Sequence, residues 1–311
     1  MFFGFICANV KVALTSLERV LELLDVPQEP AWHVSADKTE RGPDWPHSGA
    51  IEIRDVSLRY APNLPLVLRG VSLVIASGER LGICGRTGAG KSSLVALLFR
   101  LLDACEGSVL VDGVDVTTVG LQTLRRCMGV IPQSPLLMAG SVRYNLDPFD
   151  EYPESRLQEV LSLLGLPSSV TLETVIGGGS RSAAGLSAGQ RQLLCVGRTL
   201  MRKARIVVLD EPTSNIDAKT DARIQESLLR NGLQGSTVLT IAHRLGTICD
   251  SDRVAVMERG RLVECAMPAT LLEDPSSLFY AMASELGEAE MALLRSAAQS
   301  AKRAKSPGIG P

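Results

Sequence analysis

The first residues that could do chemistry lie between Leu81 and Phe99, where Gly85, Gly90, Lys91 and Ser92 stand in the spacing G-x-x-x-x-G-K-S. Gly85, Gly88 and Gly90 can take backbone conformations closed to other residues, so successive N–H groups can turn toward an anion. Arg86, Thr87, Ala89 and Ser93 contribute amides to the same cradle. A helix opening near Lys91 would add the positive end of its dipole. Lys91 can reach β- and γ-phosphates, and Ser92 can place its hydroxyl on Mg²⁺. A second chemical locus is Asp210-Glu211, at the end of the apolar run Ile206-Val207-Val208-Leu209. Asp210 at the carboxyl end of a buried parallel strand is placed to organise Mg²⁺, and Glu211 to polarise a water against a γ-phosphate. These residues imply nucleotide binding.

The elements that must position these residues follow from periodicity. Residues 9–26 carry the helical stripe Val10, Leu14, Leu17, Val20, Leu21, Leu24, which reads either as a packing helix or as the end of a longer one. Pro27, Pro30, Pro43 and Pro46 among polar residues mark 27–48 as a linker, so a domain is expected from Gly49. From Ala50 the period falls to two, and two antiparallel strands are expected ahead of the phosphate loop. Another pair should turn at Asp112-Gly113, and short buried strands are expected at 128–133, 205–211 and 236–243. Residues 141–205 read as helix-rich, and 217–233 as a helix for which Asp217 is an adequate N-cap. A last hairpin turns at Gly260, and the Ala/Glu-rich helical stretch after Ala283 gives way to a basic, solvated tail. Buried strands alternating with helices predict an α/β fold with a parallel sheet.

Bulk properties narrow the partners. A formal net charge of −2 gives no reason to propose nucleic acid. Seven cysteines without any C-x-x-C exclude a zinc site by spacing and fit reduced thiols better than a disulfide framework. No stretch reaches the roughly 20 apolar residues of a membrane-spanning helix, and the apolar start lacks both a basic lead and a good cleavage site.

Leu186-Ser187-Ala188-Gly189-Gln190 matches the LSxGQ signature of ABC ATPases, and from there the resemblance extends over nearly the whole chain. The fold it implies is a P-loop NTPase (RecA-like) core with an antiparallel β subdomain and a helical signature subdomain at about 134–204. By that resemblance Tyr60 stacks on adenine, although it could equally be an ordinary strand aromatic. Gln133 matches the Q-loop glutamine, which joins Ser92 and Asp210 on Mg²⁺. Ser214-Asn215-Ile216-Asp217 matches the D-loop, giving Asp217 an interface role beside its capping role. His243 matches the switch histidine that contacts the γ-phosphate, and Glu211 the general base. Ser187, Gly189 and Gln190 would complete the site of a partner domain, so this chain would supply half of each of two sites.

The segments SLERVLELLDVPQEPAW, PQSPLLMAGSVRYNLDPF and TVLTIAHRLGTICDSDRV resemble the second nucleotide-binding domain of C-subfamily, multidrug-resistance-associated transporters. There the first of these trails the last transmembrane helix. The resemblance thus implies a helix at 1–26 left from that junction, the linker 27–48, an ATPase domain at 49–285 and a tail at 286–311. It implies ATP and Mg²⁺ as ligands and a head-to-tail second nucleotide-binding domain plus transmembrane domains as partners. It also implies a membrane-associated position on the cytoplasmic face, with membrane contact through the transporter only. Two features depart from the subfamily: the segment 177–185 before the signature is longer and lacks an acid, and Pro212 stands where alanine is usual. The function implied is ATP hydrolysis powering export of organic anions or conjugates. The alternatives are a soluble ABC ATPase of translation or DNA repair, or a truncated regulatory remnant that binds ATP. A repair enzyme would need a coiled coil between loop and signature, and a translation factor two such domains.

Overall fold

The computed structural model describes residues 2–26, 28–34, 45–177, 185–210, 233–242 and 244–305, with side chains from 10 to 303. Helix α1 (Phe2–Leu24) carries the expected stripe, yet residues 10–26 are exposed throughout. No described helix is long and apolar enough to cross a membrane.

Period-two alternation builds the first sheet. Strand β1 (Ile51–Leu58) pairs antiparallel with β2 (Leu68–Ile75) and, on its other edge, with β4 (Glu106–Val111), which turns into β5 (Val114–Asp115). The turn sits at Asp112-Gly113, both with positive φ (49° and 77°), the twist-matching geometry of a two-residue hairpin. The Asp112 carboxylate accepts hydrogen bonds from the Ser48, Gly49 and Ala50 amides and pins the start of the domain.

The phosphate-loop strand β3 (Arg80–Cys84) does not join that sheet. It belongs to a six-stranded one, with β6 (Met128–Ile131), β9 (Ile206–Asp210), β10 (Thr237–Ile241), β11 (Arg253–Glu258) and β12 (Arg261–Ala266), in the order β12-β11-β3-β10-β9-β6. All its pairings are parallel except the β11–β12 hairpin. The central strands are apolar on both faces because both faces are covered. A two-stranded ribbon of β7 (Gly140–Ser141) and β8 (Val175–Ile176) interrupts the region read as helical.

Helices cover the sheet in three apolar clusters. The first joins α2 (Lys91–Leu98) and α3 (Leu121–Arg126) to the antiparallel sheet. The second gathers α4 (Val142–Leu146), α5 (Glu154–Leu163) and α6 (Ala188–Arg202) over β6 and β9. The third lies under α7 (Pro268–Glu273), α8 (Leu278–Ser284) and α9 (Glu288–Lys305). The packed unit therefore reaches beyond the expected 49–285 at both ends. Trp45 is buried in the first cluster, and Met291, Leu294 and Ala298 of α9 seal the third. Their spacing of three and four residues along α9 is a helical stripe that the Ala-rich composition disguises.

Candidate functional site

The parallel register brings the expected chemistry to one edge of the large sheet. Ile241 lies opposite both Ile83 and Asp210, and Ile131 opposite Leu209. The carboxyl ends of β3, β9 and β6 therefore release the phosphate loop, Asp210 and Gln133 at the same crevice, where ligands of open α/β sheets bind.

The loop is shaped by glycine where nothing else fits. Gly85 holds φ 147°, and a Cβ there would lie 2.2 Å from the Met257 carbonyl oxygen. Gly90, at φ 101°, caps α2 without any side-chain hydrogen bond, so the first amides of the helix face the crevice unclaimed by a capping side chain. Gly85, Ala89 and Gly90 are buried, whereas Arg86, Thr87, Gly88 and Ser92 are exposed. Lys91 is 6% exposed and donates from Nζ to the carbonyls of Gly85 (2.7 Å) and Arg86 (3.2 Å). Burial pulls its pKa below the ordinary 10.5, and negative charge at Cys84 and Asp210 opposes the shift. Burial also pushes the Cys84 thiol up to about 12, so near neutrality Asp210 is the effective counter-charge. The cation is thus desolvated and poised beside a carboxylate.

Tyr60 is half exposed and its hydroxyl shares a 2.9 Å hydrogen bond with Ser93 at the start of α2. That bond places the Tyr60 hydroxyl at the start of α2, next to the phosphate loop. Gln133 is exposed just beyond β6. Ser92, Gln133 and Asp210 offer a hydroxyl, an amide oxygen and a carboxylate, an all-oxygen set of few protein ligands that suits Mg²⁺ shared with phosphates and water. The donor chemistry fits the ion.

The signature lies on a different core. Ser187 N-caps α6, accepting from the Gln190 amide (3.2 Å), while Gln190 Oε1 accepts from the Ser187 amide (2.9 Å), a closed capping box. Ser187 is exposed and Gly189 buried. Glu211, the D-loop with Asp217, and His243 lie outside the described residues, as do 178–184 and Pro212.

Sequence reasoning missed two braces on the Q-loop. Gln192 donates to the Pro132 carbonyl (2.8 Å), and Arg198 grips the Asn145 side chain and the carbonyls of Leu136 and Asn145. Both lie on α6, so the helix that opens with the signature also holds the chain on either side of Gln133. Long polar side chains at Gln192 and Arg198 inside the mostly apolar QLLCVGRTL were the available signal.

Comparison with known proteins agrees with this geometry. A family model described as "ABC transporter" matches residues 68–214. Human ATP-binding cassette sub-family C member 2 is 45% identical over 282 residues, 90% of this chain and 18% of the relative. Human sub-family C member 4 is 42% identical over 297 residues, covering 94% and 22%. The Saccharomyces cerevisiae ATP-dependent bile acid permease is 40% identical over 307 residues, covering 91% and 18%. A solved bacterial Atm1-family ABC exporter with ATP bound superposes with TM-score 0.74 at 27% identity, over 92% of this chain and 49% of that one. The chain spans about a fifth of the length of these curated relatives.

Proposed function

The chain belongs to the ABC transporter family, as an ATP-binding domain of the C-subfamily kind, and on that premise we propose that it binds and hydrolyses ATP to power export across a membrane. The observation that carries the reading is the convergence of the Lys91 loop, Asp210 and Gln133 at the carboxyl ends of parallel strands in register.

In this reading the loop amides and the Lys91 ammonium exchange their contacts with Gly85 and Arg86 for the β- and γ-phosphate oxygens. Developing charge on the transferred group is then met by donors already aimed at it. Tyr60 carries the adenine. Ser92, Gln133 and Asp210 would hold Mg²⁺, which when bound neutralises phosphate charge. Glu211 accepts the proton of the attacking water, and His243 contacts the γ-phosphate. The Ser187 hydroxyl already accepts from Gln190 and keeps its own proton to donate. It would therefore complete the site of a second, head-to-tail nucleotide-binding domain, with Gly189 and Gln190 beside it and Asp217 at the shared interface. Closing ATP between the two halves would drive transmembrane domains through the transport cycle.

The chain would then sit at the cytoplasmic face of a membrane, attached through those domains. Organic anions or conjugates are the cargo class best supported, because one relative is named a bile acid permease. One relative described above is named a permease and the solved neighbour an ABC exporter, which disfavours a soluble translation or repair ATPase. The test is an immunoblot of native membranes with an antibody to the tail. A membrane band far above 33.2 kDa supports the transporter reading, and a soluble band at that mass contradicts it.

A further inference from the structure

The segment leading into the domain is attached to the helix that carries Lys91. The carbonyls of Ala31 and Trp32 accept hydrogen bonds from the Leu121 (3.2 Å) and Gln122 (3.0 Å) amides, the first turn of α3, whose cap Gly120 offers no side chain. Glu29 and Arg125 form a fork-to-fork pair (2.9 and 3.3 Å). That pair holds the Glu29 carboxyl below the usual range, chiefly through the hydrogen bond to Arg125. The guanidinium lies 5.9 Å from the Trp32 ring centroid.

The same guanidinium reaches the opposite way. Nε donates to the Phe99 carbonyl and Nη2 to that of Arg100, both 3.1 Å, at the C-terminal end of α2. Arg125 is about one-fifth exposed, whereas Glu29 is more than half exposed. An ion pair so placed adds little stability alone. Its interest lies in connectivity, because a single planar cation joins residues 29–32 to the rear of the helix whose front end is Lys91. Helix α3 also runs through Cys127 into β6, which ends at Gln133. Two elements of the nucleotide crevice thus share one anchor with the entry segment.

We propose that Arg125 is a positioning residue that couples the seating of residues 28–34 to occupancy of the phosphate loop, so that each favours the other. The inference rests on the reading that the Lys91 loop holds ATP. Reciprocity follows from linkage: whatever a seated segment adds to ATP affinity, ATP adds to the seating. A chain entering through residues 28–34 would then report on, and bias, the nucleotide state independently of the face that carries the signature.

The test is a double-mutant cycle on the 311-residue chain, with a fluorescent ATP analogue and Mg²⁺ as probe. The paired change Glu29→Ala with Trp32→Ala should weaken affinity about fivefold, the lower end of measured couplings. In an Arg125→Lys background, which keeps charge but loses the fork, the same pair should change affinity by less than about 1.5-fold, following the additivity test for independent sites. In the unaltered chain, hydrogen exchange at the Leu121 and Gln122 amides should slow when the analogue binds, a readout that a merely structural contact would not move. Equal weakening in both backgrounds, or exchange indifferent to nucleotide, overturns the proposal. Lys91→Ala separates the two failures. If it abolishes binding while the Glu29/Trp32 pair is silent, only the coupling is wrong. If it leaves binding intact, the nucleotide reading falls and the coupling with it.

Discussion

The phosphate loop and the signature both open a helix, and they are finished in opposite ways. At α2 the cap is Gly90, with positive φ and no side chain to bond the first amides, and a buried lysine turns back onto the loop carbonyls. At α6 the cap is Ser187, closed with Gln190 into a box that satisfies two backbone amides locally. The first end leaves its donors for a ligand delivered to its own chain. The second closes its cap within the chain and is exposed, so the Ser187 hydroxyl proton faces whatever is brought to it. The difference fits the proposal that one chain carries two unlike halves, a pocket and a lid for another pocket. Two cores stand behind them, one under the antiparallel sheet and one in the helical subdomain, and Gln192 and Arg198 tie the signature helix to the Q-loop.

The sharpest way to break the comparison is at the base. Glu211→Gln should leave ATP affinity intact and lower turnover by about 10²–10⁴-fold, the range for a general base. Retained turnover in steady-state assays would remove Glu211 from the mechanism. Next is the loop itself: Gly85→Ala drives a Cβ to 2.2 Å from the Met257 carbonyl oxygen at φ 147°. A loss of about 3 kcal/mol is expected from strain and overpacking together, read as a fall in the denaturant midpoint. A silent Gly85→Ala would mean that the loop is not held in this shape.

The lid is tested by keeping its cap. Ser187→Asp preserves the helix cap and sets a negative charge against the partner's γ-phosphate. Folding stability and ATP affinity of separated chains should stay unchanged, while turnover of paired chains should fall about 100-fold, comparable to losing a transition-state donor. Ser187→Ala, by contrast, should cost about 1 kcal/mol of stability through the lost cap. Equal damage to binding by separated chains would contradict action on another chain's site.

The smallest effect concerns pH. Burial lowers the folded-state pKa of Lys91 below the ordinary 10.5, so below that folded value its protonated form costs stability, a cost relieved as pH rises through the shifted pKa toward the ordinary value. Phosphate affinity moves the other way and should begin to decline at a lower pH than an ordinary lysine would dictate. Lys91→Arg, which stays charged, should flatten that decline in a titration with the ATP analogue.

Much of the site was legible because its residues are adjacent in sequence and their spacing is dictated by backbone geometry. Gly85 to Ser92 is one turn and one helix start, and Asp210 announces itself by ending an apolar strand. The Asp112-Gly113 and Gly260 hairpins were readable for the same local reason. What escaped was long-range. The period-two pattern of 51–75 says nothing about which sheet β3 joins, and that is decided by pairing with β10 and β11, more than 150 residues away. The grip of Arg125 on Glu29, Phe99 and Arg100 has no periodic signature, since it depends on where α3, the end of α2 and the entry segment meet. The docking of α9 was hidden because its buried stripe of Met291, Leu294 and Ala298 is small and Ala-rich.

Complementation between two inactive chains tests most directly whether pocket and lid belong to different molecules. Lys91→Ala removes a pocket and leaves its lid, whereas Ser187→Asp removes a lid and leaves its pocket. Each chain alone should hydrolyse ATP at background rate, and an equimolar mixture should recover activity, because one of the two sites in a mixed head-to-tail pair is intact. A mixture as inactive as its components, at concentrations where unaltered chains turn over, would contradict the account.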